Sequence, residues 1–264
     1  MKLIEKSIIF ICLGILLLVT FGTGNCAESN TWEIRQKGNI VEIYYQSDTG
    51  KAQYAALHVD SSYFRMVYSP KAGWGTSVIL MPSFWTKSRY YQGARISYTW
   101  KIEGKDAVVN FKGSIAGLQA EGRIKLLPPR KNVFVAKVNV QVEGDVKLDK
   151  SHRYETYKPI MLSSMHISKD VWDTNKAYVG KKRYSIPGEG WLKQIPSSGK
   201  NFGLRGGSSN WKKNAPSIGI VLDKSMRVSG WITKSNNPND DNVGFWVASR
   251  KIVRSLKYAI VVKQ

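Results

Sequence analysis

The run Gly180-Lys181-Lys182-Arg183-Tyr184 puts a cationic fork beside a phenol. An arginine can grip a carboxylate with two parallel hydrogen bonds, and a tyrosine or histidine can take a proton from the carbon next to it. His166 and Arg205 lie in the same half of the chain. Together these residues hold the parts needed to abstract the proton beside a uronic-acid carboxylate and expel the next sugar by β-elimination. Tyr184, His166 and Arg183 are therefore the catalytic candidates. On a strand, Lys182 and Tyr184 would share one face, and Lys181 and Arg183 the other. The plainer account of so short a basic run is a solvated face.

A second group suits binding better than chemistry. The stretch from Gly199 to Asn214 holds Arg205, Asn210, Trp211 and Lys212 among four glycines. Glycine lets the backbone approach a ligand closely, and an indole ring covers the flat C–H face of a sugar. Trp191 and Trp172 lie in similar company, close to Gly, Lys, Asp and Asn. Trp74 and Trp85 are likewise expected in loops, whereas Trp100, Trp231 and Trp246 fall within strand patterns and are expected in the core. A flexible connecting loop has the same composition as the Gly199–Asn214 stretch, so both accounts stand.

Other chemistries leave no trace. The three histidines, His58, His152 and His166, have no metal-ligand spacing, and no cofactor motif is present. The oxygen-rich run from Asn236 to Asn242 lacks the calcium-loop pattern and reads as an Asn/Pro turn. There is no Gly-x-Ser-x-Gly elbow. Glu155, Asp170, Asp173, Glu189 and Asp223 could form a glycosidase pair, but their separations cannot be read from a sequence.

The elements that must position these residues are strands. In Asn132 to Glu143, Phe134, Ala136, Val138, Val140 and Val142 alternate with Lys137, Asn139, Gln141 and Glu143. A period of two marks a half-buried strand. Similar runs are Ile40–Gln46, Gln53–Val59, Tyr63–Ser69, Ser77–Met81, Ala94–Ile102, Ala107–Lys112, Leu118–Leu127, Pro159–Ile167, Ala177–Ile186, Ser217–Leu222, Arg227–Thr233, Val243–Ala248 and Ile252–Val262. Turn signals separate them, among them Asp48-Thr49-Gly50, Glu103-Gly104-Lys105-Asp106 and Pro128-Pro129-Arg130-Lys131-Asn132. Only Ser168 to Lys176 suggests a short helical turn. The expected fold class is all-β: a large antiparallel β-sandwich following an N-terminal signal segment.

The ends and the charge set the context. Lys2 and Lys6 precede the apolar run Ile8 to Phe21, and small residues follow. This is the layout of a secretory signal, and the run is shorter than the roughly 20 apolar residues of a membrane span. Residues 1–25 are read as the signal and residues 27–264 as one β-sandwich domain. Of the two cysteines, Cys12 lies in the signal, which leaves Cys26 without an internal partner. Cys26 stands where lipoproteins carry their acylated cysteine, or else beside an ordinary cleavage site. The chain has 40 Lys plus Arg against 19 Asp plus Glu, a net charge of +21. Such a field attracts polyanions. Outside a cell these are acidic polysaccharides, anionic cell-surface glycans and lipid headgroups rather than nucleic acid.

The order Ile96-Ser97-Tyr98-Thr99-Trp100-Lys101-Ile102, a turn at Gly104, Val108 to Phe111 and long strands to Val142 resembles the galactose-mutarotase-like supersandwich, over residues 90–264. That family includes carbohydrate epimerases and the β domains of polysaccharide lyases. The resemblance implies a carbohydrate-active fold. It assigns no catalytic residue, because the paired histidines and carboxylate of the epimerases have no counterpart here. Three readings follow: an exported or cell-surface protein that binds acidic polysaccharide, a polysaccharide lyase or other enzyme on the same substrate class, and a structural envelope lipoprotein.

Overall fold

Branched and aromatic residues at every second position can bury one face of a strand and leave the other wet. A computed structural model of the chain describes residues 31–69, 74–130, 133–149, 160–168, 176–179, 182–185, 192–195, 201–204, 217–223, 229–234, 242–249 and 253–263, and among them every regular element is a strand. In chain order these are β1 Thr31–Lys37, β2 Ile40–Ser47, β3 Gly50–His58, β4 Tyr63–Ser69, β5 Trp74–Ile79, β6 Ser83–Trp85, β7 Tyr90–Tyr91, β8 Ile96–Glu103, β9 Asp106–Ile115, β10 Leu118–Arg130, β11 Val133–Glu143, β12 Ile160–Ser168, β13 Lys176–Val179, β14 Lys182–Ser185, β15 Leu192–Ile195, β16 Asn201–Leu204, β17 Ser217–Leu222, β18 Ser229–Lys234, β19 Asn242–Ser249 and β20 Ser255–Lys263.

They form two antiparallel sheets. The first has the order β1-β2-β3-β4-β5-β12-β19-β18-β15, with β6 alongside β12 and β7 alongside β6. The second has the order β14-β13-β16-β17-β20-β11-β10-β9-β8. Short hairpins make the early neighbours. Gly38, at φ 60°, and Gly104, at φ 62°, open two-residue turns that would strain a residue with a Cβ. Long-range pairs complete the sheets: Met165 of β12 lies opposite Val78 of β5, and Tyr258 of β20 lies opposite Val138 of β11.

The core lies between the sheets. Leu57, Phe64 and Val78 form one lateral row of the first sheet and are fully buried. Val109, Ile124, Val138, Tyr258 and Leu222 form a matching buried row of the second. Burial of each such aliphatic side chain contributes about 1.5–3 kcal/mol. Rings bridge the sheets at one end. Trp32 packs edge-on against Tyr45 at 4.8 Å and Tyr54 at 5.0 Å, and Tyr54 lies 5.2 Å from Phe134 of the second sheet.

Several expectations need correction. Ala177–Ile186 is two strands, with Val179 paired to Lys182. Pro128, Pro129 and Arg130 belong to β10 rather than to a turn. The two prolines lie beyond the last pairing with β9, at Leu126, and within a shift of register against β11, so their missing N–H groups break no ladder. Trp74 and Trp85 are in strands, not loops. Trp100 heads the core row, opposite Val109, but β8 is the outermost described strand and leaves the ring 46% exposed. The helical turn expected from Ser168 to Lys176 falls mostly outside the described residues, and Ser168 ends β12.

Candidate ligand-binding face

Side chains alternate across a sheet, so the burial of one row fixes the side of the next. The buried row Leu57–Phe64–Val78 continues in register through Met165, Phe245 and Ile232. The adjacent row lies one residue along the strands, and at its β4 end Arg65 alternates with the buried Phe64 and Met66. It runs Arg65, Ser77, His166, Gly244, Thr233. Two residues further along the strands, Ser164, Trp246, Trp231 and Gln194 stand opposite one another in register. These register rows bring Arg65, His166 and the directly paired Trp246 and Trp231 onto neighbouring strands of the first sheet.

The neighbouring hairpin adds more rings. Phe84 is fully buried and stacks on Tyr91 at 5.2 Å. Trp85 and its partner Tyr90 are half-buried, with ring centroids 4.7 Å apart. Desolvation pushes the Tyr90 phenol up to about 12, so it stays a neutral donor at any physiological pH. Tyr63, on the outer side of β4 beside Arg65, accepts a hydrogen bond from Gln92 Nε2 at 2.9 Å.

Of the sequence-selected residues, His166 lies in the row that runs from Arg65 to Thr233. Tyr184 and Arg183 are adjacent in β14, opposite Ala177 and Tyr178, at an edge of the second sheet. They therefore do not share a sheet with His166. Arg205, Asn210, Trp211, Lys212, Trp191, Trp172 and Cys26 lie outside the described residues. Trp231 and Trp246 sit in strands, as expected, and pair directly with each other. Val243, Phe245 and Val247 alternate with Gly244, Trp246 and Ala248, so Trp246 is out of step with its apolar neighbours, and Trp231 is in step with Ser229 and Thr233. Arg65 was missed because a single arginine in an apolar strand carries no motif.

The outer face of the second sheet is polar and self-neutralised. A shallow hollow of about 520 Å³ there is lined by Ser97, Thr99, Asn110, Lys112, Glu121 and Arg123, among others. Beside it, Glu103 accepts from Lys101 at 3.0 Å and from Arg123, and these cations hold its carboxyl below the usual range. Lys125 pairs with Asp106 at 2.6 Å. Such exposed pairs contribute little stability and leave little net field. Among the described residues, no group of three or more His, Cys, Asp or Glu is placed to hold a metal.

No protein-family model matches the chain, and no curated protein matches it in sequence. In structure it is similar to the 4-alpha-glucanotransferase from Thermococcus litoralis, with a TM-score of 0.43 and 11% identity. That alignment covers 89% of this chain and 39% of the glucanotransferase, so the chain spans well under half of the larger protein.

Proposed function

We propose that the protein is exported and binds an acidic polysaccharide on the outer face of its first sheet. One observation carries the reading: the row Arg65–Ser77–His166–Gly244–Thr233 runs beside the opposed pair Trp246–Trp231. Indole rings can cover the faces of pyranoses, and an arginine can grip their carboxylates, so these residue types on neighbouring strands suit a chain of charged sugars. The charge of +21 supports the choice of an anionic ligand, since it concentrates polyanions around the whole molecule. The basic start, apolar run and small-residue exit of residues 1–25 support export. Cys26 offers an acylation site for attachment to a membrane. The loop residues Arg205, Asn210, Trp211 and Lys212, with Trp191 and Trp172, remain part of the proposed binding set.

The test is retention on immobilised alginate, pectin and heparin. The expected result is retention that salt weakens and that the double variant Trp246→Ala, Trp231→Ala loses, with folding checked by circular dichroism. Unchanged retention by a folded double variant overturns the choice of face. A uronate lyase is the second reading, favoured by Arg65 and His166 in one row, where they would serve as carboxylate clamp and base. Its mark is an unsaturated product absorbing in the near ultraviolet, lost in His166→Asn. Binding without such a product leaves the protein a binder.

A further inference from the structure

We propose that the protein forms a two-fold dimer by pairing strand β8 with β8 of a second copy. Three observations at this edge agree. First, β8 is the outermost described strand of the second sheet, eight residues long and free of proline or register shift. Second, Trp100 is 46% and Ile102 44% exposed, both large and apolar, on one face of that strand. Ile34 of β1 is only half-buried, and β1 edges the first sheet along the same side: Trp32 Nε1 donates to Lys105 O at 2.9 Å and Tyr98 Oη donates to Gln36 Oε1 at 2.8 Å. An apolar strip thus runs between two unpaired strand edges.

Third, the backbone of β8 is phased for addition of a strand. Glu103 and Asp106 flank the two-residue turn Gly104-Lys105. The residues flanking such a turn exchange both ladder hydrogen bonds, so the N–H and C=O groups of Ser97, Thr99, Lys101 and Glu103 point to β9. Those of Tyr98, Trp100 and Ile102 point away from it. The residues with free amides are therefore the ones whose side chains form the apolar strip. An edge that presents apolar side chains beside outward backbone groups can pair with another strand, although Lys101 tempers it.

The order of side chains along β8 matches a second copy of itself and fixes the register. A two-fold axis at Trp100 sets Trp100 against itself, Tyr98 against Ile102, Thr99 against Lys101 and Ser97 against Glu103. Within β8 no like charges stand directly opposite, and the rings and the isoleucine form one isologous cluster. An axis one residue further along would set Lys101 against Lys101, which is repulsive.

The experiment is the mass of the purified protein by sedimentation over a range of concentrations. A dimer is expected. Trp100→Pro deletes an outward N–H and the exposed ring while leaving the β9 ladder intact, and should weaken the dimer about tenfold or more. Ile102→Lys gives a second route that leaves the backbone untouched. In a variant with Cys12 and Cys26 replaced by serine, Thr99→Cys with Lys101→Cys should form an intermolecular disulfide on mild oxidation, because those positions face each other across the axis. Thr99→Cys alone should not. A monomer at every concentration overturns the proposal. So does a dimer that survives both edge variants in folded form, or equal cross-linking by the single cysteine.

Discussion

Tyr54 joins the two sheets through one hydroxyl. It rises from β3, is 1% exposed, donates to Leu127 O at 2.9 Å and accepts from Val135 N–H at 2.8 Å. Those partners lie where β10 and β11 lose register between Leu127 and Arg130. The phenol therefore satisfies backbone groups that the irregular ladder leaves over. Removing it strands a buried N–H, so Tyr54→Phe should destabilise the fold by about 1–3 kcal/mol in urea unfolding. The same residue sets an alkaline limit. Burial pushes its phenol well above the ordinary value of 10, and the bond from Val135 only partly opposes this. The unfolded chain then loses that proton first as pH rises. The stability it represents is fully present below pH 10 and drains away above it. Between about pH 10 and 11 the wild type should lose up to about 1.4 kcal/mol per pH unit more than Tyr54→Phe. Parallel loss in both proteins would show that Tyr54 does not ionise on unfolding. Nothing at the sequence level marked this residue, because a tyrosine in an alternating strand looks like any other core ring.

Strands with a strict period of two were readable from sequence almost to the residue. Tyr63–Ser69 and Ser217–Leu222 match β4 and β17 at both ends. The short strands β6, β7, β15 and β16 were not readable, because two to four residues give alternation too little length to register. β1 was missed for another reason: only Trp32 and Ile34 are apolar, and it gains its place by pairing with β2 along its whole length. Turns follow the same rule of local chemistry, with one exception. The β9–β10 hairpin turns at Ala116-Gly117, and both residues have positive φ, 45° and 93°. A two-residue turn of that kind prefers Asn-Gly or Gly-Gly, and an alanine in the left-handed region is strained. Ala116→Gly should relieve about 1 kcal/mol of this strain, partly offset by the greater freedom of glycine in the unfolded chain. A rise in melting temperature is the expected outcome. A fall would mean that the unfolded-state term wins.

At the scale of the whole molecule, the composition announced two sheets, but no local pattern says which strand lies beside which. Alternation fixes a strand's two faces and is silent about its neighbours. That is why the row from Arg65 to Thr233, contributed by β4, β5, β12, β19 and β18, could not be assembled from sequence, although His166 within it had been singled out. The pairings that assemble it are long-range, and each sheet depends on one central strand: β12 joins β1–β5 to β19, β18 and β15, and β20 joins β8–β11 to β17, β16, β13 and β14. Such a topology leaves little that is stable alone. Ile260, at the middle of β20, is fully buried and paired with Ala136 on one side and Ile220 on the other. Proline there removes a ladder hydrogen bond at the centre of the second sheet and vacates part of the buried isoleucine site, a loss of about 3 kcal/mol or more. Because Tyr54 and the ring column tie the sheets together, the first sheet should fall with the second. Far-ultraviolet circular dichroism and tryptophan fluorescence should therefore report one coincident urea transition, moved to much lower urea in Ile260→Pro. Trp100→Pro, a proline at the sheet's edge rather than its centre, should leave that transition nearly in place. Two separate transitions, one for each sheet, would contradict a shared core.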